Sequence, residues 1–435
     1  MPTIVRRPAE ALRGVPRPLW VVLAVALGVR VAIVLATPSY APFGDPADYD
    51  RIARFLEYFG TYPPSTFADP TGPSALRPPG YPYLLAGLYE LVGVRWQVAR
   101  IVGALLGTVA VTLLWAIVRR LWDARLALWA AGVAAVLPSL VWVGGGLTAE
   151  SLFVPLLLGA VWAAVRHRDA PGAGWVAAAG VLLGLAVLTR TNGAIAVLPL
   201  LVAAWLPRRR WTDPVVLLVG LVLALAPWTV RNAAAFGSFS PLGTQSGFTM
   251  IGAWNAQAEE DGRYRAAWRV PMDLPELQPV LRQYGTDEVD VDADLRKRAL
   301  EFAGDNPGYV VAATVIHARH LLHLTTDTEG ASGGSFREMG MPRWTWTPTV
   351  VAFWALLVAA LAGVVLLARR RVPRGPLWLW AVPVVLFLSV VPLLGPPRYR
   401  IPVDPFLAIL AAVALTALVD RGRAGRARAP ERPAA

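Results

Sequence analysis

The chain has 435 residues and a formal net charge of +12, with 56% apolar and only 16% charged residues. Soluble domains run about 45–50% apolar and about 25% charged, so this composition excludes an ordinary soluble domain, and it excludes intrinsic disorder as well. The absence of cysteine excludes thiolate metal sites, disulfide frameworks and cysteine nucleophiles.

Long uncharged stretches account for such a composition, because they face lipid instead of water. In chain order, ten stretches read as membrane helices, near residues 18–37, 97–118, 126–143, 148–165, 174–189, 192–206, 214–231, 348–368, 377–394 and 401–419. The first is not a cleavable signal, since Arg30 interrupts it and no small-residue cleavage site follows. The connections alternate in charge. One set is short and basic: Arg6, Arg7, Arg13 and Arg17; Arg119, Arg120 and Arg125; Arg166 and Arg168; Arg208, Arg209 and Arg210; Arg369, Arg370, Arg371 and Arg374; and the 420–435 tail with Arg421, Arg423, Arg426, Arg428 and Arg432. The positive-inside rule makes this set cytoplasmic, together with both termini. An even number of spans follows, and ten satisfies it.

The opposite side carries two long loops, 38–96 and 236–346, both net acidic. Loops of that length usually carry function or structure of their own, so the working face is expected outside the cytoplasm. Within the second loop, residues 308–324 are apolar enough to suggest a further span. A span there would move the arginines at 369–374 to the outside. An amphipathic helix in the outer interface is therefore expected, its apolarity broken by Arg319 and three histidines. Most spans hold no ionisable group and no internal repeat is evident, unlike an ion-coupled transporter. The basic excess is thus a topology signal, and no nucleic-acid partner is needed to explain it.

The polar residues gather at the outer boundary. Gly44-Asp45-Pro46-Ala47-Asp48-Tyr49-Asp50 opens the first outer loop. Asp45 reads as the N-cap of a helix with Pro46 in its first turn. Three carboxylates within six residues also repel one another, and a carboxylate at the membrane surface can take a hydroxyl proton. Leu76-Arg77-Pro78-Pro79-Gly80-Tyr81-Pro82 reads as a stiff entry and tight turn before an apolar helix, with Arg77 able to hold a phosphate or an acid. Glu150, in Thr148-Ala149-Glu150, complements a helix N-terminus. Arg231, in Pro227-Trp228-Thr229-Val230-Arg231-Asn232, and Arg398 and Arg400, in Gly395-Pro396-Pro397-Arg398-Tyr399-Arg400-Ile401-Pro402, stand at span ends. There an arginine either anchors by snorkelling or joins an anionic-headgroup site. His317, His320 and His323 at i, i+3, i+6 read as a metal site or as a polar stripe at the headgroups, and the spacing lacks a zinc signature. There is no phosphate-binding loop, HExxH or GxSxG motif.

Taken in order, Gly44-Asp45 with Tyr49, Arg77-Pro78-Pro79-Gly80-Tyr81-Pro82, Thr148-Ala149-Glu150, Leu188-Thr189-Arg190, Pro227-Trp228 with Arg231-Asn232, and Arg398-Tyr399-Arg400 before Pro402 resemble the GT-C superfamily of membrane glycosyltransferases. The likeness is to its family 39, which includes the dolichyl-phosphate-mannose protein mannosyltransferases and the bacterial lipid A aminoarabinose transferase. It runs from Arg30 to the last span.

The resemblance implies an all-α polytopic membrane protein of the GT-C fold, with about ten transmembrane helices and two long extracytoplasmic loops containing interfacial helices. The chain would be a single GT-C domain over 1–435, in which loop 38–96 is catalytic and loop 236–346 forms the donor and acceptor cavity. The implied activity is inverting transfer of a sugar from a polyprenyl-phosphate-linked donor to a glycan, lipid or protein acceptor at the outer face of the cell membrane. A lipid-linked sugar flippase or transporter is the alternative. Asp45 matches the family's catalytic base, with Asp48 as its rival. Arg398 and Arg400 match the arginines that bind the lipid phosphate, joined by Arg231 and Arg77; Tyr49, Tyr81, Glu150 and Tyr399 complete the cavity. No cofactor is required and a divalent metal has no support in the sequence; membrane lipid and the lipid-linked donor are the partners. Two features depart from the family. The Asp-Glu pair of eukaryotic members is Asp45-Pro46 here, and Asp404 stands in a segment that is usually apolar. The chain also lacks the large C-terminal extramembrane domain of some relatives, so the loops are expected to recognise the acceptor.

Overall fold

The structure, a computed structural model, describes residues 16–325 and 328–427; most of the N-terminal arginine cluster and the end of the basic tail lie outside them. Among the described residues the fold is helical, with no β-strand. The helices are α1 (Arg17–Ala36), α2 (Asp45–Phe59), α3 (Gly80–Val92), α4 (Trp96–Leu121), α5 (Ala124–Val136), α6 (Pro138–Trp142), α7 (Glu150–Asp169), α8 (Ala173–Val187), α9 (Val197–Trp205) and α10 (Thr212–Phe236). They continue with α11 (Ser246–Ala253), α12 (Ala256–Glu260), α13 (Glu288–Asp305), α14 (Pro307–Leu321), α15 (Thr328–Glu338), α16 (Trp346–Ala368), α17 (Leu377–Val390) and α18 (Asp404–Ala427).

Among the described residues, five helical segments are long and apolar enough to cross a membrane: Arg17–Ala36, Trp96–Leu121, Thr212–Phe236, Arg343–Ala368 and Pro397–Arg421. Ala124–Val136, Ala173–Val187, Thr191–Trp205 and Leu377–Val390 are apolar but shorter, and α7 is a 20-residue helix with charged ends. The stretches expected to span fall on helical structure, but 126–143 is broken between α5 and α6 and 192–206 between a 3-10 segment and α9, and only half of the ten are long and apolar enough on their own. The chain is a multi-pass membrane protein.

Lipid offers no hydrophobic drive between helices, so they pack where small residues let backbones approach. Gly180 and Gly184 of α8 form such a pair. A Cβ on Gly180 would collide with the Leu217 carbonyl, and one on Gly184 would meet the Ala224 side chain at 2.6 Å. Arg30, buried in α1, pairs with no carboxylate among the described residues. The α5 helix ends before Pro138, which has no amide hydrogen to donate, and Arg30 donates instead to the carbonyls of Ala135 (2.9 Å), Ala134 (3.3 Å) and Leu140 (3.1 Å). It splices a broken helix.

The two long loops form a helical cap over one end of this bundle. Phe67 from the first loop packs with Phe248, Leu274, Leu277, Val291 and Leu295 from the second in one apolar cluster. Residues 307–321 form the 15-residue helix α14. It buries Tyr309, Ala313, His317 and Leu321, one residue per turn, while Val311 and Val315 on other faces are exposed.

Candidate active site between two cavities

Two local structures bring the first acids and arginines together. Gly44 takes a left-handed φ of 62° and Asp45 starts α2. Asp45 is thus the first helical residue and not the expected cap: no side chain caps this helix, and its carboxylate is left for arginines. In the Arg77-Pro78-Pro79-Gly80 turn, the Gly80 amide donates to the Leu188 carbonyl at 2.7 Å, and a Cβ there would lie 2.9 Å from that oxygen. Close docking of this turn on residues 188–190 sets Arg77 beside Arg190.

The resulting cluster is connected throughout. Asp45 shares one oxygen with Arg77 Nη2 at 2.6 Å and the other with Arg398 Nη2. Arg77 Nε donates to Asp48 at 2.7 Å, and Arg51 holds the other Asp48 oxygen at 2.7 Å. Arg398 Nε lies 3.2 Å from Glu150, which also pairs with Arg190. Arg398 Nη1 lies 3.0 Å from Glu338 Oε2. Arg190 and Arg398 both stack on Tyr399, at 4.7 and 5.0 Å from its ring centre. Burial alone would push the Asp45 carboxyl up, but Arg77 and Arg398 hold it well below the usual carboxylate range. Asp48 is likewise lowered, burial being outweighed by Arg77 and Arg51.

Two cavities meet at this cluster. One, of about 630 Å³, is lined by Asp45, Tyr49, Arg77, Arg190, Tyr399 and the apolar end of α17 (Val390, Leu393, Leu394). The other, of about 530 Å³, is lined by Glu338, Ser335, His320, Arg319 and again Asp45 and Tyr399. Asp45, Trp268, Leu394 and Tyr399 line both and form the shared wall.

The remaining expected residues fall elsewhere. Asp48 is absent from both linings and is held by its two arginines. Tyr81 is buried beneath the site, edge-on to Tyr49 and bonded to Ser151. Arg231 donates to the Ser74 carbonyl at 2.8 Å and lies over Tyr62 and Trp228, apart from both cavities. Arg400 is also outside them: it pairs with Asp404 at 3.0 Å and its guanidinium sits 3.5 Å from the Phe353 ring centre. The otherwise unexpected Asp404 exists as its partner. His317 and His320 both line the 530 Å³ cavity beside Gly395, and His323 lies apart from them. His317 faces the carbonyls of Val391 and Ala266, whereas His323 stacks on Phe336. Among the described residues no group of three His, Cys, Asp or Glu converges as a metal site. The sequence reading assigned no role to Arg190, although it stands in a matching stretch, nor to Glu338, for which no local pattern exists.

Residues 76–230 match the family model described as dolichyl-phosphate-mannose-protein mannosyltransferase. That stretch holds Arg77, Glu150 and Arg190 but neither Asp45 nor Arg398. No curated protein matches the chain. Solved structures with a similar fold include the archaeal oligosaccharyltransferase of Archaeoglobus fulgidus in complex with an inhibitory peptide and a dolichol-phosphate: TM-score 0.54, 18% identity, 95% of this chain and 52% of that one covered. The apo form of the Archaeoglobus fulgidus oligosaccharyltransferase aligns at TM-score 0.52 and 16% identity, over 94% of this chain and 51% of the other. This chain thus spans about half the length of those proteins. At such identities the likeness concerns the fold. The chain is a multi-pass membrane protein of the GT-C fold, with a mannosyltransferase-type stretch over residues 76–230.

Proposed function

We propose that this chain is an inverting glycosyltransferase that moves a sugar from a polyprenyl-phosphate donor to an extracytoplasmic acceptor. The observation that carries the reading is the wall, Asp45 and Tyr399 among its residues, between two cavities that meet at the charged cluster. The 630 Å³ cavity combines Arg77 and Arg190 with apolar residues of a membrane helix, as a lipid phosphate requires. Guanidinium groups there stabilise the phosphate as its charge grows with cleavage of the sugar bond. Asp45, kept ionised by its arginines, faces the positive charge that develops at the anomeric carbon. The acceptor approaches from the second cavity, opposite the departing phosphate, which inverts the configuration. The activated phosphate–sugar bond supplies the driving force, so no nucleotide enters. The dolichol-phosphate in the archaeal oligosaccharyltransferase supports a lipid-linked donor. In this reading both termini are cytoplasmic, and the two cavities open on the outer face of the cell membrane.

The test incubates purified protein with a panel of radiolabelled polyprenyl-phosphate sugars and membrane extract. A labelled glycoside is expected, and its identity names the sugar and the acceptor class. Movement of lipid-linked sugar across proteoliposomes, with no glycoside from any donor, would replace transfer by flipping.

A further inference from the structure

The two cavities share Asp45, Trp268, Leu394 and Tyr399. In the transfer reading the sugar is bonded to a phosphate in the 630 Å³ cavity and attacked from the 530 Å³ cavity, so it occupies the place where the two meet. Side chains that border both spaces are the ones within its reach. Asp45 is bound by Arg77 and Arg398, and Tyr399 carries Arg190 and Arg398 on its ring. Leu394 adds one apolar side chain. Trp268 takes no part in the charged cluster and is the largest of the four.

Trp268 lies in the second long loop, between α12 and α13, and its neighbours fix it. The indole Nε1 donates to the Thr249 carbonyl of α11 at 3.1 Å. That edge of the ring lies against Gly252, where a Cβ would collide with Nε1 and Cε2. The Phe248 ring stands 5.8 Å away, centre to centre, tilted by 44°. The backbone just before Trp268 is held as well. His317 of α14 lies 2.7 Å from the Ala266 carbonyl and 3.0 Å from that of Val391, which joins this loop to the chain leaving α17, where Leu394 follows.

These contacts decide what Trp268 can offer. Nε1 is the only polar atom of the side chain, and the Thr249 carbonyl takes its hydrogen. The ring surface that remains is hydrocarbon. A side chain needed only for packing would be enclosed, as Phe67 of the same apolar cluster is; Trp268 is half-buried and borders two cavities.

A sugar ring carries its hydroxyls around the rim, so C–H bonds gather on a face and give it an apolar side. Packing that face on an aromatic ring buries apolar area and leaves the hydroxyls free for other partners. We propose that Trp268 is the sugar-binding residue of the site: the C–H face of the transferred sugar rests on the indole, with its phosphate toward Arg77 and Arg190. The assignment rests on the glycosyltransferase reading above. The donor it selects is a hexose or pentose with one face free of charged groups.

The experiment uses the full-length protein in detergent and the radiolabelled polyprenyl-phosphate sugar that the wild type consumes. Affinity for that donor, without acceptor, is compared with affinity for undecaprenyl phosphate, which has lipid and phosphate but no sugar. In Trp268→Ala the donor is expected to bind about 10- to 100-fold more weakly, as the loss of one buried apolar surface implies, and kcat/KM for transfer is expected to fall with it. Undecaprenyl phosphate is expected to bind within threefold of wild type. W268F, which keeps an aromatic face, is expected to recover most of the donor affinity, whereas W268L, apolar without such a face, is not. Donor affinity and kcat/KM of W268A within threefold of wild type would overturn the assignment and leave the transferase reading standing. An equal loss for both ligands, the mark of a purely structural role, would do the same. If W268A does not fold, W268F and W268L decide: equal donor affinity in the two overturns the proposal. A wild type that forms no glycoside from any donor overturns both.

Discussion

Arg398 and Arg400 stand two residues apart on the same short 3-10 turn and have opposite surroundings. Arg400 has one carboxylate, Asp404, whose second oxygen accepts from the Ser139 hydroxyl; Phe353 covers its face and the Leu321 carbonyl takes another donor. Charges match one to one and no large cavity reaches them. Arg398 faces Asp45, Glu150 and Glu338, from three helices that the chain separates widely. There acids outnumber the central cation, and further arginines, Arg77 and Arg190, balance them from the cavity side. A matched buried pair holds helices together. A cluster at a cavity wall, in which three carboxylates share one central guanidinium, holds one of them well below its ordinary proton affinity and pushes another above it, and that difference can drive chemistry.

This contrast can be broken experimentally. Asp45→Asn should lower transfer by about 10³-fold, measured as initial rates of labelled product, because it removes the fixed negative charge at the shared wall. Protein yield and melting temperature should stay near wild type; full activity in that variant would make the cluster structural, like its neighbour. On the other side, Asp404→Leu alone should cost about 3–5 kcal/mol of stability, since it leaves a buried guanidinium unpaired. Thermal unfolding in detergent reads this directly. Arg77→Met should cost about 1.5–3 kcal/mol in donor binding, seen as a KM for the lipid-linked donor about 10- to 100-fold higher with a smaller change in kcat. An unchanged donor KM would place the phosphate elsewhere. The smallest effect is expected from Arg400→Met combined with Asp404→Leu. Replacing both members of a buried pair by apolar groups is often neutral, so turnover should stay within threefold and the melting temperature should recover from that of the single variant. A loss of donor binding in the double variant would return Arg400 to the phosphate site.

The helical bundle and its two long acidic loops were legible in the sequence because they rest on local quantities: runs of apolar residues, short arginine-bearing connections and long acid-rich ones. Asp45, Arg77 and Arg398 were legible for the same reason, as charged residues at span boundaries beside Gly and Pro. Arg400 and Arg231 carried the same local signal and the structure places them apart from the cavities. A 3-10 turn has three residues per turn, so residues i and i+2 point to different sides. Nothing local states which side holds the cavity. The histidines illustrate the same limit: His317 lies on α14 and faces the Val391 carbonyl, whereas His323, six residues on and past the helix end, meets the Ser332 hydroxyl.

What the sequence determined by itself is a multi-pass membrane protein with two long polar loops, because transfer of each stretch between water and lipid depends on that stretch's own composition. What only the tertiary structure decided is which charges meet. Glu338 lies 293 positions beyond Asp45, in a segment with no distinguishing pattern, and reaches it because Gly44 and Gly146 leave room. Its proton affinity is set by burial and by Arg398, Asp45 and Glu150. Electrostatic energies depend on distance and on removal from water, and chain order specifies neither.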